Sequence, residues 1–289
     1  MANILYGKAV SDHISEQTRK TVKILKIHGK KATLAIVRVG ENADDISYEK
    51  AATKHCQQLE INVKSIILDK DIEYEKFYHI LDSLNNDNDI DGILILRPLP
   101  KHLDNEKARN YLNPTKDIDG SSDISLSSLF SNTNKYFAPC TAQAVIEMLK
   151  YYNIPLVGKK AVVIGRSLIV GKPVSILLLN ENCTVTICHS KSENIPALTK
   201  QADIIIACSG QMESLNKDYF SSNQTVIDVG INYNHKKGKL CGDVLFDEVV
   251  NIVENISPVP KGVGSVTIAV LLNNLAISAK RKLWYDIYL

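Results

Sequence analysis

Residues 161–173 read Ala161-Val162-Val163-Ile164-Gly165-Arg166-Ser167-Leu168-Ile169-Val170-Gly171-Lys172-Pro173, and the change of character at Gly165 decides the fold. Four apolar residues rich in β-branched side chains predict a buried strand, and the small residues Gly165 and Ser167 predict a tight turn. Gly171 then introduces an apolar run of helical length. Strand, small-residue turn and helix N-terminus form the setting in which backbone N–H groups and a helix dipole face a phosphate, as in dinucleotide-binding folds. The spacing departs from the usual GxGxxG, since Ser167 holds the second glycine place and the last glycine arrives one residue late. An NAD site commonly ends its second strand with an acid that accepts from the ribose hydroxyls. Here that strand ends Cys188-His189-Ser190-Lys191. Arg166, Ser190 and Lys191 offer positive charge and hydroxyl donors suited to a ribose phosphate, which favours NADP over NAD.

Working outward, further β-rich runs at 184–188, 203–207 and 225–229, with a helix at 141–152 ahead of the first strand, make this half Rossmann-like with a parallel sheet. A second alternating series precedes it. Val10, Ile14, Val22 and Leu25 recur near helical spacing, so 7–28 reads as an amphipathic helix closed by Gly29. Apolar runs at 32–39 (broken late by Arg38), 61–68 and 90–96 read as buried strands, separated by helices at about 45–59 and 71–84. From Pro114 to Pro139 the chain is rich in Ser, Asn and Asp and reads as a surface loop, with a domain boundary near its end. A final helix at 266–282 follows the loop 258–264.

With 289 residues the chain suits two domains rather than one. At 45% hydrophobic and 23% charged residues it has the composition of a globular protein, and a formal charge of +2 from 34 basic and 32 acidic residues argues against nucleic-acid or membrane partners. The densest basic run, His235-Lys236-Lys237-Gly238-Lys239, reads as a solvated turn. Six cysteines without a CxxC pair read as reduced, buried thiols, and the seven histidines form no metal-binding motif, so no metal is expected. The start of the chain has no secretion signal and no run is long enough to span a bilayer, which places the protein in the cytoplasm.

Taken in order, Ser47-Tyr48, Asp91-Gly92-Ile93-Leu94, Pro98-Leu99-Pro100, Lys116-Asp117-Ile118-Asp119-Gly120, Gly165 to Pro173, His189-Ser190-Lys191, Asp228 to Asn232 and Pro258 to Gly264 closely resemble the methylenetetrahydrofolate dehydrogenase/cyclohydrolase family over nearly the whole chain. The resemblance implies a homodimer of two-domain α/β subunits. Residues 1–140 and a returning helix at 266–289 would bind the folate, residues 141–265 would bind NADP, and the active site would lie in the cleft between them. It implies further that Tyr48 stacks along a tetrahydrofolate one-carbon derivative and Asp119 hydrogen-bonds its pterin. Leu99, Pro100, Gly262 and Val263 would border the substrate. Gly165, Arg166, Ser167, Ile169, Gly171, His189, Ser190 and Ile231 would hold the cofactor.

Two departures bear on the chemistry. The family pattern places a catalytic lysine four residues after the tyrosine and an assisting glutamine two residues before Pro98; this chain has Ala52 and Leu96. Lys50 and Lys54 flank Ala52, but at about 100° per residue they lie well around the helix from Tyr48. Hydride transfer needs close approach and orientation, whereas hydrolysis of the methenyl product needs water addition and proton shuttling. The expectation is an NADP-dependent methylenetetrahydrofolate dehydrogenase with weak or lost cyclohydrolase activity. The alternatives are a fully bifunctional enzyme with a relocated lysine, or a non-catalytic folate or nucleotide binder. Further departures border the site: serines at 121, 122, 125 and 127, Ala142 for a proline, and Lys261, Ser265 and Val266 for a glycine, a proline and a methionine.

Overall fold

The computed structural model describes residues 2–236 and 238–288, with side chains through Trp284. In chain order the elements are β1 (Asn3–Ile4), α1 (Gly7–Ile27), β2 (Thr33–Val39), α2 (Ala43–Gln58), β3 (Asn62–Leu68), α3 (Tyr74–Asn86), β4 (Gly92–Ile95), α4 (Asn105–Tyr111), α5 (Asp123–Phe130) and α6 (Cys140–Tyr151). They continue as β5 (Lys160–Ile164), α7 (Gly171–Asn180), β6 (Thr184–Cys188), α8 (Ile195–Thr199), β7 (Ile204–Ala207), β8 (Thr225–Asp228), β9 (Asn232–Asn234), β10 (Lys239–Cys241), α9 (Phe246–Val249), β11 (Asn255–Ile256) and α10 (Gly264–Tyr288). The chain is a two-domain α/β protein, and contacts divide it into two compact units. One comprises His13–Cys140 with Ile268–Leu289; the other comprises Met1–Asp12 with Thr141–Thr267.

In the first unit β2 lies between β3 and β4 in a parallel sheet. Burial explains the near-continuous apolar reading of β2, and Arg38 is the exception that carries its own partner. Its Nε donates to Glu49 Oε2 at 2.7 Å and Nη1 donates to the Gly40 carbonyl, so a guanidinium can sit inside without an unpaired charge. Gly92 opens β4 because a Cβ there would lie 2.7 Å from side-chain atoms of Ile118 and Leu275. The polar stretch 114–139 differs from its reading as loop, since α5 forms within it. Ser122 caps that helix by accepting from the Ser125 N–H, and Asp123 occupies its first turn. Residues that read as loop formers are here the start signal of a short helix.

In the second unit six parallel strands run in the order β1-β11-β8-β7-β5-β6. The chain leaves β5 for β6 on one side and returns for β7 on the other, so the strand order reverses at β5. Ligands of open α/β sheets settle outside the carboxyl ends of the strands at such a reversal. The sequence reading missed β1 and β11, each only two residues long. The basic run falls on the turn between antiparallel β9 and β10, where His235 and Lys236 are exposed and Lys237 lies outside the described residues. Five of the six thiols are buried, Cys208 is half-buried, and none is in a disulfide. No helix among the described residues is long and apolar enough to cross a membrane.

Candidate functional site

The first unit carries Tyr48 and Asp119. Asp119 sits in a turn that its neighbours hold rigidly. Asp117, fully buried, accepts from the N–H groups of Ser121 and Ser122 at 3.1 and 2.8 Å and from Ser125 Oγ at 2.7 Å. Gly120 takes a left-handed φ of +67°, and a Cβ there would lie 2.4 Å from the Ala138 backbone. Asn274 of α10 donates to the Ile118 carbonyl at 2.9 Å, and the Cys140 N–H donates to the Asp119 carbonyl at 3.1 Å. Of the serines that depart from the family pattern, Ser125 spends its hydroxyl on fixing Asp117, while Ser122 gives Asp117 only its N–H and uses its hydroxyl on Ser125 and the start of α5.

With its backbone gripped on both sides, Asp119 presents its carboxylate to Arg97, whose Nη2 lies 3.3 Å from Oδ2. Burial lifts the Asp119 carboxyl to about 6; the Arg97 charge opposes the rise and Asp117 adds to it. The Tyr48 hydroxyl is pushed well above its ordinary value, first by burial and then by Asp119 and Cys140. Tyr48 therefore stays a neutral phenol, able to offer a ring face and an O–H donor. The site can accept N–H donors of a heterocycle at Asp119 and stack its plane on an uncharged ring. Leu99 is buried in the core cluster of this unit and its N–H donates to Asn105 Oδ1 at 2.9 Å, while Pro100 is partly buried beside it. Ala52 is fully enclosed and Leu96 nearly so, whereas Lys50 and Lys54 are exposed to solvent.

The second unit brings the nucleotide residues to one edge. The register pairs Ile164 with Cys188, and the Gly165 N–H donates to the Cys188 carbonyl at 2.9 Å, so the Gly165–Gly171 turn and the His189–Ser190–Lys191 turn emerge side by side. Both glycines are required by space. A Cβ on Gly165 would lie 2.3 Å from the Cys208 carbonyl oxygen, and one on Gly171 would lie 2.3 Å from the Gly165 carbonyl oxygen. Ser167 Oγ accepts from the N–H groups of Val170 and Gly171 at 3.2 and 3.4 Å, which shapes the turn entering α7. His189 Nδ1 accepts from the Lys191 N–H at 3.2 Å, so the ring proton of the neutral imidazole is left on Nε2. Arg166 and Ser190 are exposed, as are the apolar side chains of Ile169 (55%) and Ile231 (65%). The glycine cradle, the exposed guanidinium and the hydroxyl fit a phosphorylated dinucleotide.

Ile231, Gly262 and Val263 line one cavity of about 230 Å³ beside the ends of β8 and β11. Gly262 is obligatory, since a Cβ would lie 2.4 Å from the Pro258 carbonyl oxygen. Beneath lies a buried knot: Asp228 accepts from the N–H groups of Gly230, Asp243 and Val244, and Asp243 accepts from those of Ser209 and Gly210.

Sequence reasoning missed the pairing of Arg97 with Asp119, because alternation along β4 gives the face on which Arg97 stands but not its partner. Leu94 and Leu96 share one face, and Arg97 follows Ile93 and Ile95 on the other, lining with them a small cavity that Asp117 and Asp119 complete. Asn274 was missed because nothing in a polar residue within a final helix announces a partner as far back as Ile118.

Comparison with known proteins gives concordant matches. The tetrahydrofolate dehydrogenase/cyclohydrolase catalytic-domain model matches residues 5–119, and the NAD(P)-binding-domain model of the same name matches residues 139–283. The chain is 47% identical over 272 residues to the bifunctional protein FolD of Carboxydothermus hydrogenoformans, covering 94% of this chain and 95% of that one. It superposes with a TM-score of 0.94 on the bifunctional FolD of Campylobacter jejuni, at 38% identity, covering 98% of this chain and 100% of that one. A dehydrogenase-cyclohydrolase from Trypanosoma brucei, solved with NADP and an inhibitor, gives 0.91 at 30% identity, with 98% of each chain covered.

Proposed function

Since the chain belongs to the tetrahydrofolate dehydrogenase/cyclohydrolase family, we propose that it oxidises methylenetetrahydrofolate with NADP and has little or no methenyltetrahydrofolate cyclohydrolase activity. In this assignment the unit of Tyr48 and Asp119 binds the folate and the unit of the Gly165 turn binds the cofactor; the protein works in the cytoplasm as a homodimer. NADP, which the turn from Gly165 to Gly171 would hold, would supply the hydride acceptor for the methylene carbon. The protein's own task in that step is orientation. Asp119 accepts from the pterin N–H groups, Tyr48 presents an uncharged ring to its plane, and Leu99, Pro100, Gly262 and Val263 shape its surroundings. Gly165, Ser167 and Gly171 leave room for phosphates at the N-terminus of α7, Arg166 and Ser190 bind the ribose phosphate, and His189, Ile169 and Ile231 cover the nucleotide. None of these roles requires a group that moves a proton.

Water addition to the methenyl bridge does require one, and the observation that carries the proposal is the enclosed methyl of Ala52 where a lysine ammonium would stand. Lys50 and Lys54 are exposed and leave that place to carbon. The test is an absorbance assay on both steps with the purified protein. NADPH should form from methylenetetrahydrofolate and NADP, and the methenyl product should then accumulate and decay no faster than in buffer. Absence of NADPH formation defeats the dehydrogenase assignment, and rapid enzyme-dependent decay defeats the loss of hydrolysis. Light scattering on the same sample tests the dimer.

A further inference from the structure

The pterin site contains an ion pair that the hydride-transfer chemistry does not itself demand. Arg97 stands two residues beyond the end of β4, is partly buried, and its guanidinium makes a single point contact with Asp119 Oδ2 at 3.3 Å. The two aspartates of the turn differ in kind. Asp117 is fully buried and satisfied by two N–H groups and a serine hydroxyl, so it has nothing left for a ligand. Asp119 keeps oxygen lone pairs unspent, and the other charged or titratable groups facing it from each packed element are Asp117 on its own turn, Tyr48 from α2 and Cys140 from α6. Arg109 of α4 borders the same small cavity but is committed to the Ser121 carbonyl and Asp123. Arg97 is therefore the cation that answers the Asp119 charge, in a chain whose α2 carries alanine at position 52.

We propose that Arg97 is the positioning residue of this site: its guanidinium, 3.3 Å from Asp119 Oδ2, fixes the Asp119 carboxylate as a two-oxygen acceptor for the paired N–H groups of a pterin. A carboxylate accepts at both oxygens, whereas a protonated carboxyl accepts at one and presents a donor at the other, facing a donor on the ligand. Burial already drives Asp119 towards the neutral form, and the adjacent guanidinium is the influence that opposes it most. The ligand's identity here rests on the proposed function, while the coupling of Arg97 to Asp119 does not.

Three full-length variants test it: Arg97→Leu, Arg97→Lys and, to identify the carboxyl resonance, Asp119→Asn. Carbon NMR of protein labelled at the aspartate carboxyls, titrated without ligand, should show the Asp119 midpoint higher by about one pH unit or more in Arg97→Leu and restored towards the parent in Arg97→Lys. With methylenetetrahydrofolate and NADP, the acid limb of kcat/KM should move upward in Arg97→Leu. KM for the folate should rise about tenfold at neutral pH, with a smaller loss in kcat. KM for NADP should not follow. An unmoved Asp119 midpoint in Arg97→Leu overturns the proposal, as does a kcat/KM profile that keeps its acid limb. Parent protein without turnover defeats the dehydrogenase reading alone, because the NMR titration still decides the coupling. If Arg97→Leu does not fold, Arg97→Gln, neutral but polar and long, takes its place in both measurements.

Discussion

Lys261 adopts φ +83°, a left-handed conformation that costs a residue with a Cβ about 1–2 kcal/mol. Its place in the family pattern belongs to glycine. Lys261→Gly relieves that cost but loses about 0.5–1 kcal/mol of unfolded-chain entropy, so a net gain of up to about 1.5 kcal/mol is expected in urea denaturation. A loss of stability would show that the lysine side chain has a compensating role. The catalytic position is tested in the same spirit. Ala52→Lys together with Leu96→Gln should raise methenyl hydrolysis by about a hundredfold or more, the usual worth of a positioned acid or base, and no gain would mean that other residues of the site have also lost hydrolytic competence. Tyr48, Asp119, Ala52 and Leu96 could be singled out in the sequence because each stands at a fixed offset inside a local motif. The Arg97–Asp119 pair was not, since it depends on a turn 22 residues downstream whose shape is set by serine hydroxyls and Asn274.

At the level of elements the turn from β5 into α7 gives the sharpest expectation. Gly171→Ala forces a Cβ against a backbone oxygen that no side-chain movement can relieve, so the turn must open. NADP affinity measured by calorimetry should fall more than tenfold, above about 1.4 kcal/mol, and unchanged affinity would show that the cradle is not where the phosphates lie. β5 and β6 are strands of equal length paired residue for residue, Lys160 with Thr184 through Ile164 with Cys188, so the turns that follow them at Gly165 and His189 leave the sheet together. The helix α5 could not be anticipated, because Ser122, Ser125 and Ser128 in a polar stretch read as loop until their hydroxyls are seen bonding Asp117, the helix start and Thr133. Ser125→Ala leaves a buried carboxylate oxygen short of a donor and should cost about 1–3 kcal/mol of stability in urea. A neutral result would mean that Asp117 is held well enough by backbone N–H groups alone.

For the molecule as a whole, the buried aspartates couple stability to pH in an uncommon direction. Burial, the largest influence, lifts Asp228 to about 7 and Asp243 adds to the rise, against N–H bonds from Val244, Asp243 and Gly230. Unfolded, the same carboxyl ionises near 3.8. Between those values the native protein binds more protons than the unfolded chain, so this contribution to stability falls as pH rises towards 7, and Asp119 contributes in the same sense. The urea midpoint should decline from pH 5 to pH 8, and Asp228→Asn should flatten that decline while lowering stability, because an amide nitrogen then meets a backbone donor. A midpoint that rises steadily with pH would show both carboxyls to be ordinary in the native state.

The edge strand β1 has a consequence for the order in which this chain is made. Asn3 and Ile4 pair with Asn255 and Ile256, and the N–H groups of Ala2 and Leu5 donate to the carbonyls of Val250 and Ile256. On a ribosome Asn3 and Ile4 must wait, unpaired, until the chain has grown to Ile256, a closure across 252 residues. The six-stranded sheet is thus completed only once Ile256 has been made, and until β1 docks the open β11 edge is a point at which another strand can pair.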